Sequence, residues 1–119
     1  MTQEERDLLL KDLSARLRYG IKFKAENEEY IREIHYIRDE DVYIREYRNL
    51  PYWIDIIKPY LRPMSSMTEE EKKTYSELFW NHDPEHVDWL NEHMFDYRGL
   101  IEKGLALEAL EGMYKIDNV

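Results

Sequence analysis

The stretch that decides the fold is IKPYLRPMSSMTEEEKK, residues 57–73, called the joint below. Two prolines, Pro59 and Pro63, bracket a short extended piece, because proline cannot continue a helix or donate to a strand ladder. Thr68 then precedes Glu71 by three residues, which is the capping-box pattern that begins a helix. The chain before the joint indicates one helix and several strands, and the chain after it indicates acidic helices. The sequence therefore predicts an α+β fold, with the change of structure at this joint.

The first predicted element is a helix from about residue 3 to residue 17. Thr2 and Glu5 again form the capping-box pattern. Apolar residues at helical spacing give this helix one buried stripe, namely Leu9, Leu10, Leu13 and Leu17. The segment YGIKFKA, residues 19–25, then alternates apolar and charged side chains as a half-buried strand does.

The segment up to the joint predicts the rest of a small antiparallel sheet of three to four strands. EYIREIHYIRD, residues 29–39, fits both a helical and a strand period, and its β-branched and aromatic content favours a strand. Asp39, Glu40 and Asp41 indicate a hairpin turn, from which VYIREYR returns as the next strand. YWIDII, residues 52–57, is predicted as a last strand that Pro59 stops.

Two or three helices are predicted after the joint. The first runs from Thr68 to about Asn81 and is expected to bury Tyr75, Leu78 and Phe79. The second has Asp83 as N-cap and Pro84 at its first position, and Gly99 lies past its end. Its predicted buried stripe is Val87, Leu90 and Met94, with Trp89 at the border. The tail, residues 100–115, predicts one short helix and a closing strand.

Length and composition limit the class of protein. A chain of 119 residues predicts a single domain, and 13% aromatic residues provide enough apolar area for a core. There are no cysteines, which excludes a disulfide framework, a thiolate zinc site and a cysteine nucleophile. No apolar run is long enough for a membrane span, and the acidic start MTQEERD does not resemble a secretory signal. We expect a cytoplasmic protein with no membrane partner.

The net charge of −9 is unevenly distributed. Residues 1–63 contain 12 Lys and Arg against 13 Asp and Glu, a net charge of −1, whereas residues 64–119 contain 5 against 13, a net charge of −8. The second half would repel a phosphate backbone, so we do not expect nucleic acid as a partner. Two interpretations remain for this half: a solvated surface, or an imitation of nucleic acid that inhibits a DNA-binding protein.

The predicted hairpin interleaves arginine and aromatic residues. Such a surface suits a protein partner, because Tyr, Trp and Arg are enriched at the centres of interfaces. The same residues could also stack on single-stranded bases, or they could form an ordinary sheet surface with no partner. We favour the protein-binding interpretation, with five candidate interaction residues: Tyr36, Tyr43, Arg45, Tyr47 and Trp53.

A histidine-dependent metal site is the remaining chemical hypothesis. NHDPEHVDWLNEH, residues 81–93, places His82, His86 and His93 among carboxylates. His86 and His93 are seven residues apart, about 10 Å along a helix, which is too far for both to bind one ion. No phosphate loop or nucleophile motif is present. We therefore predict no catalytic, cofactor-binding or metal residues and no cofactor, and we do not expect an enzyme.

Three segments resemble a family of short uncharacterised proteins from gut anaerobic bacteria and their phages or integrated elements, which has no assigned function. They are LLLKDLSARL with the following YG, DIIKPYLRPMSSMTEEEKK, and DWLNEHMFDYRGLIEKGLALEALEGMYK. Together they cover roughly half the chain, and the middle, residues 21–54, shows no specific match. The resemblance implies helical ends that are constant and a sheet segment that varies, which is the layout of a binding module. We expect a small accessory protein of a mobile element that binds a protein partner through its sheet; its oligomeric state is open, with a homodimer among the options.

Overall fold

The first helix forms as predicted. The computed structural model describes residues 1–114, and α1 spans Gln3–Arg16. The N–H of Glu5 donates to the Thr2 hydroxyl at 3.1 Å, and the N–H of Thr2 donates to the Glu5 carboxylate at 2.9 Å, which confirms the capping box. The inner side of α1 buries two of the predicted leucines completely, Leu9 and Leu13.

The strands form two small sheets. They are β1 (Lys22–Ala25), β2 (Ile31–Glu33), β3 (Tyr36–Arg38), β4 (Asp41–Tyr43), β5 (Tyr52–Trp53), β6 (Ile57–Leu61) and β7 (Leu107–Glu108). One sheet has the order β2-β1-β6-β7 and the other the order β3-β4-β5. All pairs are antiparallel except β6 with β7. The α+β class is confirmed, with the strands divided between two sheets rather than joined in one.

The predicted strand over residues 29–39 is in fact two strands that belong to different sheets. The N–H of Ile34 donates to the carbonyl of Ile21 at 3.0 Å, whereas the N–H of His35 donates to the carbonyl of Tyr43 at 2.8 Å. The chain therefore changes sheet between these two residues. The turn that follows is as predicted, with a two-residue loop between β3 and β4.

The prediction that Pro59 stops its strand is wrong, because β6 continues through it to Leu61. Pro59 lies opposite Phe23 of β1. Hydrogen-bonded and non-hydrogen-bonded pairs alternate along antiparallel strands. Since the N–H of Glu26 donates to the carbonyl of Ile56 at 2.8 Å, the Phe23–Pro59 pair falls at a non-hydrogen-bonded position. The missing N–H of proline therefore removes no bond to β1.

The helix after the joint begins as predicted but does not bury the predicted side. Helix α2 spans Glu69–Trp80, and Thr68 and Glu71 form the expected capping box, at 3.1 and 2.9 Å. The first turn is anchored through the buried Glu71, and the later turns face solvent. Phe79 is 48% exposed, and Tyr75 and Leu78, which were also expected to be buried, are half-buried.

The second helix is shorter than predicted. Helix α3 spans His86–Glu92, and its N-cap position is Glu85, not Asp83. Asp83 instead accepts the N–H of Glu85 at 2.9 Å in a turn before the helix. Of the predicted stripe, Leu90 and Met94 are buried, whereas Val87 is 38% exposed.

Both helices end in a Schellman motif closed by a residue other than glycine. At the end of α2 the N–H of His82 donates to the carbonyl of Phe79 at 3.1 Å, and the N–H of Asp83 donates to the carbonyl of Leu78 at 3.0 Å. His82 has a positive φ of 53°, a conformation usually occupied by glycine. The same bond pattern ends α3 at Met94, which has a φ of 61°. The helix therefore ends earlier than the predicted boundary at Gly99.

The remaining chain to Tyr114 is mostly turns. The predicted closing strand is present as β7, which pairs with β6. The predicted short helix is absent from residues 100–114, where turns occupy its place, and the last residue of that prediction, Lys115, lies outside the described residues. Within the acidic half up to residue 114, α-helix is thus confined to residues 69–80 and 86–92, and one 3-10 turn spans Met64–Ser66.

The hydrophobic core includes residues from both sides of the joint. Its main cluster contains Leu13 of α1, Phe23 of β1, Val42 of β4 and Leu61 of β6, together with Leu105 from the turns before β7. A smaller cluster after the joint packs Met67, Leu90 and Phe95. The two sequence halves therefore share one core.

Candidate protein-binding surface

The outer face of the three-stranded sheet brings together three of the five predicted interaction residues. Tyr36 lies opposite Tyr43, and Trp53 lies opposite Asp41. Opposed residues, and alternate residues along a strand, share one face of a sheet. Tyr36, Tyr43 and Trp53 therefore share one side, called the aromatic face below, while the other side buries Val42 completely.

The two tyrosines of the aromatic face are stacked on each other. Their ring centroids are 4.4 Å apart and their planes differ by 5°. The imidazole of His35 meets Tyr36 edge-on at 5.5 Å. Tyr36 remains 39% exposed. The stack presents a fixed aromatic surface, so little side-chain entropy remains to be lost when a partner covers it.

Trp53 is held at the edge of this face by a contact from α1. The guanidinium of Arg6 makes two hydrogen bonds to Asp55, at 2.7 and 2.9 Å, and its Cζ lies 5.7 Å from the Trp53 ring. The bond from Arg6 holds the pKa of Asp55 below its ordinary value. Trp53 itself is 49% exposed. The paired Arg6 therefore lies over the indole ring, and about half of the Trp53 side chain stays exposed.

Arg45 and Tyr47, the other two predicted residues, lie outside the aromatic face. Both are exposed in the loop between β4 and β5. Tyr47 contacts Arg32 of β2, with 5.4 Å between Cζ and the ring centroid. Tyr30 lies 5.2 Å from the same guanidinium. The fold therefore separates Tyr47 from the aromatic residues with which the sequence had grouped it.

Arg32 is the centre of that second cluster. It makes two hydrogen bonds of 3.2 Å to Glu28, and Glu28 also accepts the Tyr52 hydroxyl at 2.7 Å. The bonds from Arg32 lower the pKa of Glu28. Burial, together with the bond to Glu28, raises the pKa of Tyr52 to about 12. Arg32 is therefore occupied in a structural network and is not available as a free cation.

Sequence reasoning missed three exposed residues near these clusters. Tyr30 is 69% exposed, Ile31 is 45% exposed and Leu50 is 67% exposed. Leu50 follows a turn at residues 48–49 and precedes Pro51. The signal that could have found it is a large apolar residue inside a polar turn, where no core is within reach.

Two of the arginines near the aromatic face are held by carboxylates, whereas Arg38, on the face itself, makes no ion pair within residues 1–114. Arg6 is paired with Asp55, and Arg32 is paired with Glu28. A nucleic-acid surface depends on cations that are free to neutralise phosphates. Arg6 and Arg32 are therefore not free to neutralise phosphates.

The histidines do not converge on a metal site. The Nδ1 atom of His86 lies 2.8 Å from the carbonyl of Asp83, and that of His93 lies 2.9 Å from the carbonyl of Trp89. The His93 ring is also buried and stacked on Trp89, with 4.1 Å between centroids. Within residues 1–114, no group of three or more His, Cys, Asp or Glu side chains is placed to hold a metal ion.

Known proteins give no information about this surface. No protein-family model, curated protein or solved structure matches this chain. None of the helices within the described part of the chain is both long enough and apolar enough to cross a membrane.

Proposed function

We propose that this chain is a small accessory protein of a phage or mobile element, and that it binds a protein partner in the cytoplasm through its aromatic face. The single observation that supports this most is the stack of Tyr36 on Tyr43 beside the half-exposed Trp53. Large aromatic residues dominate the energetics of protein interfaces, and small domains rarely leave several of them together in solvent.

The charges around the aromatic face suit a protein interface. Arg38 and Asp41 lie opposite each other on the same side of the sheet and give the face a border with both signs of charge. An apolar centre with a polar rim is the common anatomy of a protein interface. The near-neutral balance of residues 1–63 adds no strong field that would repel a partner of either sign.

The test is an affinity isolation that compares matched variants. The triple variant Tyr36→Ser, Tyr43→Ser, Trp53→Ser removes the aromatic face, and Leu110→Ser removes an exposed apolar side chain elsewhere. We expect the wild type and Leu110→Ser to retain one specific partner from a native lysate and the triple variant to lose it. Circular dichroism checks that the triple variant is folded. Retention of the same partner by all three proteins, or of none by the wild type, would refute the proposal.

The excess of negative charge supports a second candidate function, an acidic imitation of nucleic acid. Glu69, Glu70 and Glu77 of α2 are exposed, in the half with a net charge of −8. Such an inhibitor would bind a DNA-binding protein in competition with DNA, and salt would weaken that binding strongly. Binding that is insensitive to salt, or an absence of competition with DNA, would exclude this function.

A further inference from the structure

The end of α2 and the start of α3 form an exposed apolar surface that the aromatic face does not include. Trp80 is 75% exposed, Phe79 is 48% exposed and Val87 is 38% exposed. We call these three residues the helical patch. They lie on either side of the turn that joins the two helices, residues 81–85. Neither of the two buried clusters includes these three side chains, and they remain exposed within residues 1–114.

Contacts within the helical patch hold its rings in place. The Phe79 ring meets Trp80 edge-on at 5.7 Å and meets His86 edge-on at 5.7 Å. The Tyr75 ring lies 6.0 Å from Phe79 and continues the row one turn earlier on α2. The Schellman bonds at His82 fix the direction in which the chain leaves this helix. The surface is therefore formed before any partner arrives.

The charges around the helical patch are negative and unpaired. Glu77 lies one turn before Trp80 on α2, and Asp83 and Glu85 lie in the turn itself. None of these three carboxylates makes an ion pair with another residue in the described part of the chain. Residues 69–93 contain eight Asp and Glu against two Lys, a net charge of −6. A second copy of this chain would bring the same negative charge to the contact, so like charges would oppose a dimer here.

We propose that the helical patch binds a basic amphipathic segment of another protein. Apolar side chains of that segment cover Trp80 and Phe79, and its lysine or arginine residues lie over Glu77 and Glu85. An aromatic surface with an acidic rim combines the two interactions that such a segment needs, apolar contact and charge complementarity. This site does not depend on the aromatic face, because it uses different elements and has an acidic rim instead of a rim with both signs of charge.

Selection from a library of random displayed peptides, each long enough for three helical turns, tests this proposal. We expect the wild type to enrich peptides that combine Lys or Arg with apolar residues at helical spacing. The variant Phe79→Ser, Trp80→Ser should lose at least about tenfold in affinity for them, as truncation of central aromatic residues commonly does. The variant Trp53→Ser should bind them as the wild type does, which separates this site from the aromatic face.

Charge reversal gives the second arm, since it leaves the aromatic side chains intact. The variant Glu77→Lys, Glu85→Lys should bind the same peptides more weakly than the wild type does. Raising the salt from about 0.1 M to about 1 M should also weaken peptide binding by the wild type, because the Debye length falls from ~10 Å to ~3 Å. Circular dichroism confirms that each variant is folded. The proposal would be overturned if acidic peptides or no peptides were enriched, or if the variant Phe79→Ser, Trp80→Ser bound the selected peptides as well as the wild type does. A dimer that depends on Trp80 in sedimentation experiments would also overturn it.

Discussion

Arg16 is completely buried, and its guanidinium makes two hydrogen bonds to the carboxylate of Asp12 one turn earlier on α1, at 2.9 and 3.0 Å. The same guanidinium donates to the carbonyl of Phe95 at 2.7 Å, and Asp12 also accepts from Arg98 at 2.7 Å. This network joins the first helix to the chain after α3, so it connects the two sequence halves across the core.

Removal of one partner from this network should be strongly destabilising. Asp12→Ala leaves the buried charge of Arg16 without its carboxylate, which should lower the free energy of unfolding by about 3–5 kcal/mol. Lys11→Ala, at the exposed neighbouring position, is the control and should cost less than about 1 kcal/mol. Urea denaturation measures both values. A loss below about 1 kcal/mol for Asp12→Ala would contradict a structural role for the pair.

A second variant separates the burial of charge from the loss of packing. The double substitution Asp12→Val, Arg16→Met replaces both charges with apolar side chains close to them in size. It should recover most of the stability that Asp12→Ala loses, because a buried ion pair is often no more stabilising than apolar residues of the same volume. A double variant less stable than Asp12→Ala would show that the contact to Phe95 matters more than the pair.

Stability should fall in acid, with Glu71 as one contributor. Burial alone would raise the pKa of Glu71, but bonds from Arg62 and Thr68 outweigh it and hold the pKa below its ordinary value of 4.5. Since the folded pKa lies below the unfolded one, this carboxylate stabilises the fold above pH 4.5, and the contribution is lost as the pH falls through the folded value. Urea denaturation between about pH 6 and about pH 3 should show that the free energy of unfolding falls less steeply with decreasing pH for Glu71→Gln than for the wild type. Glu70→Gln, at an exposed position, is the control; equal slopes for all three proteins would contradict this assignment.

Glycine substitutions at the two helix ends should have opposite effects. His82→Gly should raise the free energy of unfolding by about 0.5–1 kcal/mol, because glycine adopts a positive φ without the steric cost of a side chain. Met94 has the same backbone conformation, but its side chain is only 1% exposed, so Met94→Gly should cost about 2–5 kcal/mol through lost packing. Thermal and urea denaturation compare the two. A stabilising Met94→Gly would show that backbone strain outweighs burial there.

The starts of α1 and α2 were easier to predict from the sequence than the ends of α2 and α3. The capping boxes at Thr2 and Thr68 depend on residues three positions apart, so the sequence alone was sufficient to find both helix starts. The ends were harder, because neither His82 nor Met94 is the glycine that usually closes a Schellman motif. The strand through Pro59 depends on its register against β1, which no local pattern contains.

The candidate surface was only partly predictable for the same reason. The alternation of residues placed Tyr36 and Tyr43 on one face, and the hairpin turn paired them. Tyr47 has the same chemistry, but the loop after β4 takes it to Arg32 on the other sheet. The exposure of Phe79 depends on how α2 is anchored, at its first turn through Glu71 and Arg62, and sequence periodicity alone had predicted it as buried.

Chelation should leave the protein unchanged. The Nδ1 atoms of His86 and His93 are bonded to backbone carbonyls within α3 and the turn before it, and their rings contact Phe79 and Trp89. Addition of EDTA should therefore not change the thermal unfolding midpoint, and elemental analysis of the purified protein should find no stoichiometric metal. A midpoint that falls on chelation in the wild type but not in His86→Ala would support the metal-site hypothesis instead.

Site-specific photocrosslinking in cells tests the central proposal most directly. Tyr36 or Tyr43 is replaced by photoreactive p-benzoylphenylalanine, and the same group at Leu110 is the control for an exposed position elsewhere. We predict one protein adduct of the same identity from positions 36 and 43, which disappears when Trp53→Ser is added and is absent from position 110. No adduct at either tyrosine position, or the same adduct from all three positions, would contradict binding through the aromatic face.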